Sequence, residues 1–192
     1  MFISLARPKS DDKRKAILTA ATRVIDTHGL SAPTALIAQK ARVANGSLFT
    51  YFKTKADLFN QLYLELKVEM ASAAQAGFPA EAELSEQVFH VWSNWMDWAV
   101  TNPEKRRALA QLAVSDEITP ANRAAAHKSM ATIGDLLERS RANGPMRNVP
   151  MGFVVMIMNS LADATMDFMI HDPNNAKNHC KVGCDALWRV LA

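Results

Sequence analysis

Apolar residues recur at intervals of three and four along most of the chain, and the alternating pattern of strands is almost absent. The first part predicts a helix that ends near Gly29, a short helix ALIAQKA, and a third short helix over residues 45–51. Thr54 and Asp57 then predict the N-terminal cap of a long helix.

Five further helices are predicted in the rest of the chain, because its apolar stretches are separated by prolines, which end or begin helices. These prolines are Pro103, Pro120, Pro145 and Pro173. The helices cover residues 82–101, 103–115, 120–142, 151–171 and 175–191. The pattern therefore predicts an all-α protein of about nine helices. A three-helix N-terminal domain is expected at residues 8–54 and a larger helical domain at residues 55–192.

Length and composition describe a globular chain, since 192 residues, 49% of them hydrophobic, can bury a sizeable core. The longest apolar run, MGFVVMIM at residues 151–158, is shorter than the roughly 20 residues that cross a bilayer, which predicts a buried helix and no membrane partner. The N-terminal MFISLA is too short for the apolar core of a signal peptide, so a cytoplasmic protein is expected.

Positive charge is concentrated at the N-terminal end, although the net charge is only +3. Residues 1–60 hold ten Lys and Arg against four Asp and Glu, which gives +6 and leaves −3 for the remaining 132 residues. This distribution indicates either a surface for an anionic partner or a solvated basic helix, and charge alone does not separate the two.

The second and third predicted helices, joined by a tight turn, form a helix-turn-helix, in which the second helix enters the major groove of DNA. Asn45, Ser47 and Thr50 are short polar residues that can meet base edges. Gly46 allows close approach of the backbone, and Lys55 at the start of the fourth helix can reach a phosphate.

The stretch TALIAQKARVANGSLFTYFKTKADLF resembles the DNA-binding signature of the TetR/AcrR family of bacterial transcriptional regulators, and the resemblance covers about residues 13–60. It implies a homodimer that binds a palindromic operator in double-stranded DNA. It also implies phosphate contacts from Thr34, from Phe49 or Tyr51, and from Lys55, and base contacts from Asn45, Gly46, Ser47 and Thr50. Ile37, Leu48 and Phe52 would form the core of this domain.

Three positions depart from the family pattern. Arg42 stands where glycine is usual, so it either adopts the left-handed backbone conformation or lies in ordinary right-handed geometry. Ala44 stands where a hydroxy residue is usual and cannot cap the third helix. Phe49 stands where tyrosine is usual and lacks the hydroxyl that would donate to a phosphate.

The larger domain is rich in tryptophan and methionine, which indicates either plain core or an apolar effector pocket. Plain core is the commoner use of such residues. His90, Asn94 and Asp97 are polar handles for an effector if they face inward. The predicted effector-binding residues are Leu66, Phe89, Trp92, Trp95, Met96, Met130 and Met158.

The predicted helix over residues 151–171 carries apolar residues on more than one face, and the last predicted helix carries one apolar stripe. Together they predict pairing with a second copy in a four-helix dimer interface. The alternative is a monomer that buries both faces internally. The predicted dimer residues are Val155, Met158, Ala162, Met169, Cys184, Leu187 and Leu191.

The segment NHCKVGC at residues 178–184 raises a metal or redox site, but it lacks further ligands, which favours buried structural thiols. No catalytic constellation is present, so no enzymatic activity and no cofactor are predicted.

The predicted function is a ligand-responsive transcriptional regulator, a repressor released from its operator by a small apolar effector. The alternatives are a helical small-molecule carrier or enzyme that retains a basic helix-turn-helix, and a non-specific DNA binder.

Overall fold

The computed structural model describes residues 8–192, and every regular element in this range is helical, as predicted. The segment MFISLA, on which the cytoplasmic prediction rests, lies outside the described residues. The helices are α1 Pro8–His28, α2 Thr34–Lys40, α3 Asn45–Tyr51, α4 Lys55–Gln75, α5 Leu84–Thr101, α6 Pro103–Ala113, α7 Pro120–Ser129, α8 Ala131–Arg141, α9 Met151–His171 and α10 Ala176–Leu191. A 3-10 turn at Pro173–Asn175 precedes α10.

The single helix predicted over residues 120–142 is wrong, because the structure has two helices there that are separated at Met130. The backbone of Met130 leaves helical geometry (φ −99°, ψ 8°), and its N–H donates to the carbonyl of His127, three residues back, in a tightened turn. Gly134 follows in the first turn of α8, where its low helix propensity weakens the continuation. No proline or glycine stands at the break itself, so the sequence pattern did not show it.

The described residues form two compact units. One unit holds the residues through Lys67 together with Pro103–Ala126, and the other holds Val68–Asn102 and His127–Ala192. Helices α4 and α7 therefore contribute residues to both units. The assignment of residues 8–54 and 55–192 to separate domains stays a prediction.

In the first unit, a buried asparagine on α4 fixes the connection between α6 and α7. The Asn60 amide nitrogen donates to the carbonyls of Ala56 at 2.8 Å and Glu117 at 2.7 Å. Its oxygen accepts from the backbone N–H of Thr119 at 2.9 Å and from the amide of Asn122 at 3.0 Å. Since each polar atom of the side chain is bonded, its burial does not leave an unsatisfied group.

Helix α6 of the same unit packs on α1 and holds its C-terminal end. The Arg107 guanidinium donates to both carboxylate oxygens of Asp26, at 2.5 and 2.9 Å, and this hydrogen bonding lowers the pKa of Asp26. The Gln111 amide donates to the carbonyl of Ile25 at 3.0 Å.

In the second unit, α5 packs against α8, α9 and α10. The indole N–H of Trp92 crosses from α5 to donate to the carbonyl of Cys180 at 3.0 Å. Two glycines permit close approaches elsewhere in this unit. A Cβ on Gly183 would lie 2.2 Å from the Oγ1 of Thr165, and a Cβ on Gly144 would lie 1.8 Å from the carbonyl oxygen of Leu191.

Helix α9 is only partly buried, which corrects the prediction of a buried helix. With 21 residues and a mean hydropathy of 1.4 in its most apolar window, it is the one described helix that is long and apolar enough to cross a membrane, and a third of that window is buried. Core helices of soluble proteins pass the same test of length and composition. Its exposed face includes Phe153 and Met156, which are 53% and 65% accessible, together with Phe168 and Ile170.

Candidate nucleic-acid interface and apolar cavity

At the end of α2, before the turn to α3, Arg42 occupies the backbone position where glycine is usually found. The N–H of Val43 donates to the carbonyl of Ala38 at 3.0 Å, and the N–H of Arg42 donates to that of Gln39 at 3.1 Å. This pair of bonds is the Schellman motif, which needs a left-handed residue at the Arg42 position. Arg42 has φ +56° and is the only non-glycine residue with positive φ in the described range. Of the two geometries considered from the sequence, the left-handed one is therefore observed.

Helix α3 packs on the core through an apolar face and exposes a polar face. Ile37, Leu48 and Phe52 are 1%, 0% and 0% exposed, which confirms them as core. Ala44 precedes α3 without a side-chain capping bond, as expected. The candidate DNA-binding residues all retain accessible surface: Asn45, Gly46, Phe49 and Thr50 are exposed, and Thr34, Ser47, Tyr51 and Lys55 are half-buried.

The start of α4 is fixed by a reciprocal capping box, as the sequence predicts. The N–H of Asp57 donates to the hydroxyl of Thr54 at 3.0 Å, and the Asp57 carboxylate accepts from the N–H of Lys53 at 2.9 Å. Lys55 is the first residue of the helix, and its Nζ lies 5.4 Å from the centroid of the Phe59 ring. The cap and the ring together restrict where the Lys55 ammonium can lie.

Residues 34–55 carry four basic side chains and no acidic one. Lys40, Arg42 and Lys53 are exposed, and Lys55 is half-buried. A surface with a single sign of charge favours an anionic partner, and the short polar side chains of α3 are the type that meets base edges.

The second unit contains an apolar cavity of about 30 Å³. A volume of this size is about that of one water molecule in the liquid and far below the roughly 300 Å³ of a small-molecule pocket. The lining residues are Met70, Ala74, Val88, Val91, Trp92, Trp95, Met130, Ile133, Leu136, Leu137, Met158 and Leu187.

Four of the seven predicted effector residues line this cavity, namely Trp92, Trp95, Met130 and Met158. Leu66 and Met96 are buried away from it, and Phe89 lies on an open groove with His90 and Ser93. The proposed polar handles do not face the cavity. His90 and Asn94 bond the carbonyl of Ala76 at the end of α4, at 2.8 and 3.0 Å, and Asp97 is exposed.

Eight lining residues were not identified from the sequence. Helical spacing shows that such residues face inward, but it does not show which part of an apolar interior is incompletely filled. One of the eight, Leu187, is predicted from the sequence to lie in the dimer interface.

The predicted dimer residues lie mostly inside the single chain. Val155 is half-buried, whereas the other six are buried, and two of these, Met158 and Leu187, line the cavity. A partner chain could not reach the buried six without unpacking this unit. The exposed apolar side chains of α9 lie on its opposite face.

The two cysteines are free and buried on α10. Burial raises the pKa of Cys180 to about 11 and that of Cys184 to about 12. Thiols with such values remain protonated at neutral pH and are poor nucleophiles and metal ligands. Within residues 8–192 there is no cluster of three or more His, Cys, Asp or Glu side chains suited to a metal ion.

Comparison with known proteins agrees with this arrangement. Residues 17–62 match the family model of bacterial regulatory proteins, tetR family. The uncharacterized HTH-type transcriptional regulator YhgD of Bacillus subtilis is 35% identical over 80 residues, which are 41% of this chain and 42% of that protein. The match thus spans less than half of YhgD.

Solved structures extend the likeness to nearly the whole chain. A structure from Shewanella sp. PV-4, assigned to the tetR family of transcription regulators, is 26% identical with a TM-score of 0.84, covering 94% of this chain and 98% of that one. A TetR family transcription regulator from Marinobacter aquaeolei VT8 shares the fold at 20% identity, with a TM-score of 0.84, over 97% and 98% of the two chains. Residues 17–62 therefore match the tetR family of bacterial regulatory proteins, and the chain shares the fold of TetR family transcription regulators over nearly its whole length.

Proposed function

We propose that the protein is a homodimeric, cytoplasmic transcriptional repressor that binds a palindromic operator and releases it when a small apolar effector occupies the second unit. The observation that carries the proposal is the outward face of α3. It presents Asn45, Gly46 and Thr50 to solvent within a segment that has four basic and no acidic residues. This combination of short polar groups and positive charge suits the major groove.

Lys55 and Thr34 suit phosphate contacts, because Lys55 carries a positive charge, Thr34 carries a hydroxyl donor, and both keep accessible surface. Asn45, Ser47 and Thr50 suit base contacts, and Phe49 and Tyr51 can pack against the sugar-phosphate backbone through their rings.

A dimer provides the geometry of operator recognition, since two recognition helices must lie about 34–36 Å apart to enter successive major grooves. The exposed face of α9 is the surface that needs a partner. Phe153, Met156 and Phe168 are each more than half exposed. Gly152, Ser160 and Ala164 are exposed small residues of the same helix that let another helix approach. We assign the dimer contact to this face in place of the buried residues predicted from the sequence.

The effector is proposed to be uncharged and apolar, because the cavity lining carries no ionisable side chain. A charged group buried there without a partner would be strongly unfavourable. The indole N–H of Trp92, one of the lining residues, already donates to the carbonyl of Cys180. LfrR of Mycobacterium smegmatis, which has this fold at 18% identity, was solved in complex with proflavine.

Release from DNA is proposed to act through α4. This helix begins at Lys55 and carries Met70 and Ala74, which line the cavity. An effector larger than 30 Å³ must displace lining residues, and a displacement of α4 also moves Lys55. Effector and DNA then compete through a coupling free energy of about 1–3 kcal/mol, which is reciprocal.

The test is selection of bound sites from random duplex DNA, repeated with uncharged apolar compounds added. The proposal expects one palindrome, weaker recovery with an effector, and a change in tryptophan fluorescence at the same effector concentration. A carrier would bind the compound without any change in DNA affinity, and a non-specific DNA binder would enrich no sequence. Either result would overturn the repressor assignment.

A further inference from the structure

Arg42 stands at a backbone position whose geometry favours glycine. Its φ of +56° lies in the left-handed region, where the Cβ of an ordinary residue crowds the following carbonyl. The two hydrogen bonds of the α2 end, from the N–H groups of Arg42 and Val43, require this geometry. Backbone strain of this kind is frequently found at functional sites, so the side chain that imposes it warrants a functional explanation.

The guanidinium of Arg42 is exposed and has no ion pair or hydrogen bond within the described residues. Three arginines elsewhere in the same unit differ in this respect. Arg14 pairs with Glu65, Arg23 with Glu104 and Arg107 with Asp26. The Arg42 side chain therefore has five donors that no described protein group occupies.

The location of Arg42 makes an anion on DNA the suitable partner. It lies three residues before the first residue of α3 and within the segment that has no acidic residue between positions 34 and 55. In a helix-turn-helix, the turn and the start of the second helix lie close to the DNA. A guanidinium fits a phosphate in a bidentate pair.

We propose that Arg42 binds a phosphate of the DNA backbone beside the groove that α3 enters. The inference rests on the proposed function, because it requires that α3 bind DNA. The contact adds affinity without reading a base, since a phosphate carries no sequence information. A competing structural role is a favourable interaction of the Arg42 charge with the C-terminal end of α2.

Three variants and one control separate these roles. Arg42→Gly and Arg42→Asn remove the charge and keep a residue that tolerates positive φ, while Arg42→Lys keeps the charge without the planar fork. Lys177→Ala removes an exposed positive charge from the other unit. Binding to a mixed-sequence duplex of about 30 base pairs is measured as a function of salt, because phosphate contacts are independent of sequence.

Arg42→Gly and Arg42→Asn are expected to bind about tenfold more weakly near 0.1 M salt, and the slope of log K against log salt should fall by about 0.9 per subunit. Arg42→Lys should retain the slope and lose only part of the affinity. Thermal unfolding of Arg42→Gly should occur at an unchanged temperature or up to about 4 °C higher, since the strain is relieved.

Unchanged affinity and slope in both uncharged variants would overturn the phosphate contact, and so would an equal loss in Lys177→Ala. A lower unfolding temperature with unchanged DNA affinity would assign Arg42 to the end of α2 instead. Failure of the wild-type chain to bind any duplex at low salt is a different result, because it would refute the proposed function itself.

Discussion

The outer face of α3 and the cavity of the second unit hold their candidate residues under opposite physical conditions. On α3, polar groups such as Asn45 and Thr50 are exposed, and their side chains have no hydrogen-bond partners within the described residues. In the second unit, the candidate residues are apolar and packed, with about 30 Å³ left unfilled. The proposed DNA contacts therefore need no change in packing, whereas the proposed effector requires the lining residues to move.

The difference determines whether substitutions at each site change binding and stability separately or together. A residue on the α3 face can change its DNA contacts with little effect on folding, because it contributes no buried contact. A residue that lines the cavity contributes to the core, so a change in effector binding also changes stability. The predictions below test this distinction.

The largest effect is expected for Gly144→Ala, which tests whether the second unit is tightly packed. The added Cβ would lie 1.8 Å from the backbone oxygen of Leu191, and backbone cannot move aside without shifting the end of α10. We expect a loss of about 2–4 kcal/mol in the free energy of unfolding, measured in urea. In the control, Gly134→Ala on α8, the Cβ has no atom within 4 Å, and a gain of about 0.5–1 kcal/mol is expected. Equal results for both variants would contradict the close approach.

The second prediction concerns Asn45→Ala and Ser47→Ala. Each is expected to change base preference at one or two positions in every half-site, at about 1–3 kcal/mol for a lost base contact, while the free energy of unfolding stays within about 0.5 kcal/mol of wild type. Site selection and urea unfolding measure the two quantities. Gln39→Ala, an exposed change on α2, is the control and should leave base preference unaltered. An identical selected motif in both α3 variants would remove these residues from the base contacts.

The third prediction compares two tryptophans of the cavity lining. Trp92→Phe removes the indole N–H that donates to the Cys180 carbonyl, whereas Trp95→Phe removes an N–H without a described acceptor. We expect Trp92→Phe to destabilise the fold by about 1–2 kcal/mol more than Trp95→Phe. The reverse order of stabilities would indicate that the bond between α5 and α10 contributes little.

The smallest effect is expected for the ion pair between Arg107 and Asp26, which is partly exposed. Arg107→Ala should cost no more than about 1 kcal/mol at pH 7. The folded-state pKa of Asp26 is lowered by the Arg107 hydrogen bond, so its contribution is present above the ordinary value of 3.8 and is lost as the pH falls through the folded value. The difference between wild type and variant should therefore shrink below about pH 4. A difference that persists at pH 2 would assign the effect to packing of the arginine stem.

Much of the first unit could be predicted from the sequence, because its local patterns determine its geometry. The bounds of α3 and the capping box of Thr54 and Asp57 were predicted correctly, because each depends on residues only a few positions apart. The buried Ile37, Leu48 and Phe52 were implied by the resemblance to the TetR/AcrR family. The sequence did not decide whether the Arg42 backbone is left-handed, because this depends on whether α2 ends with the hydrogen bonds of a Schellman motif.

The second unit was less predictable, because its candidate site depends on how distant helices pack. Periodicity identified the inward residues of α9 and α10 but assigned Leu187 and Leu191 to a partner chain, whereas they pack within the same chain. The exposed Phe153 and Met156 were not predicted as dimer residues, since helical periodicity identifies residues on the main apolar stripe and not those outside it. The break at Met130 was missed because no proline or glycine stands at that position.

Under the proposed function, the size of the cavity has a consequence for the rate of effector binding. The space of about 30 Å³ is about that of one water molecule, so the lining side chains must move to accommodate the proposed effector. The observed association rate will then rise with effector concentration only until it reaches the rate of that opening. The apparent dissociation constant will exceed the intrinsic one by the reciprocal of the open fraction. A substitution that keeps the cavity open would sensitise the protein to its effector without adding any contact to it.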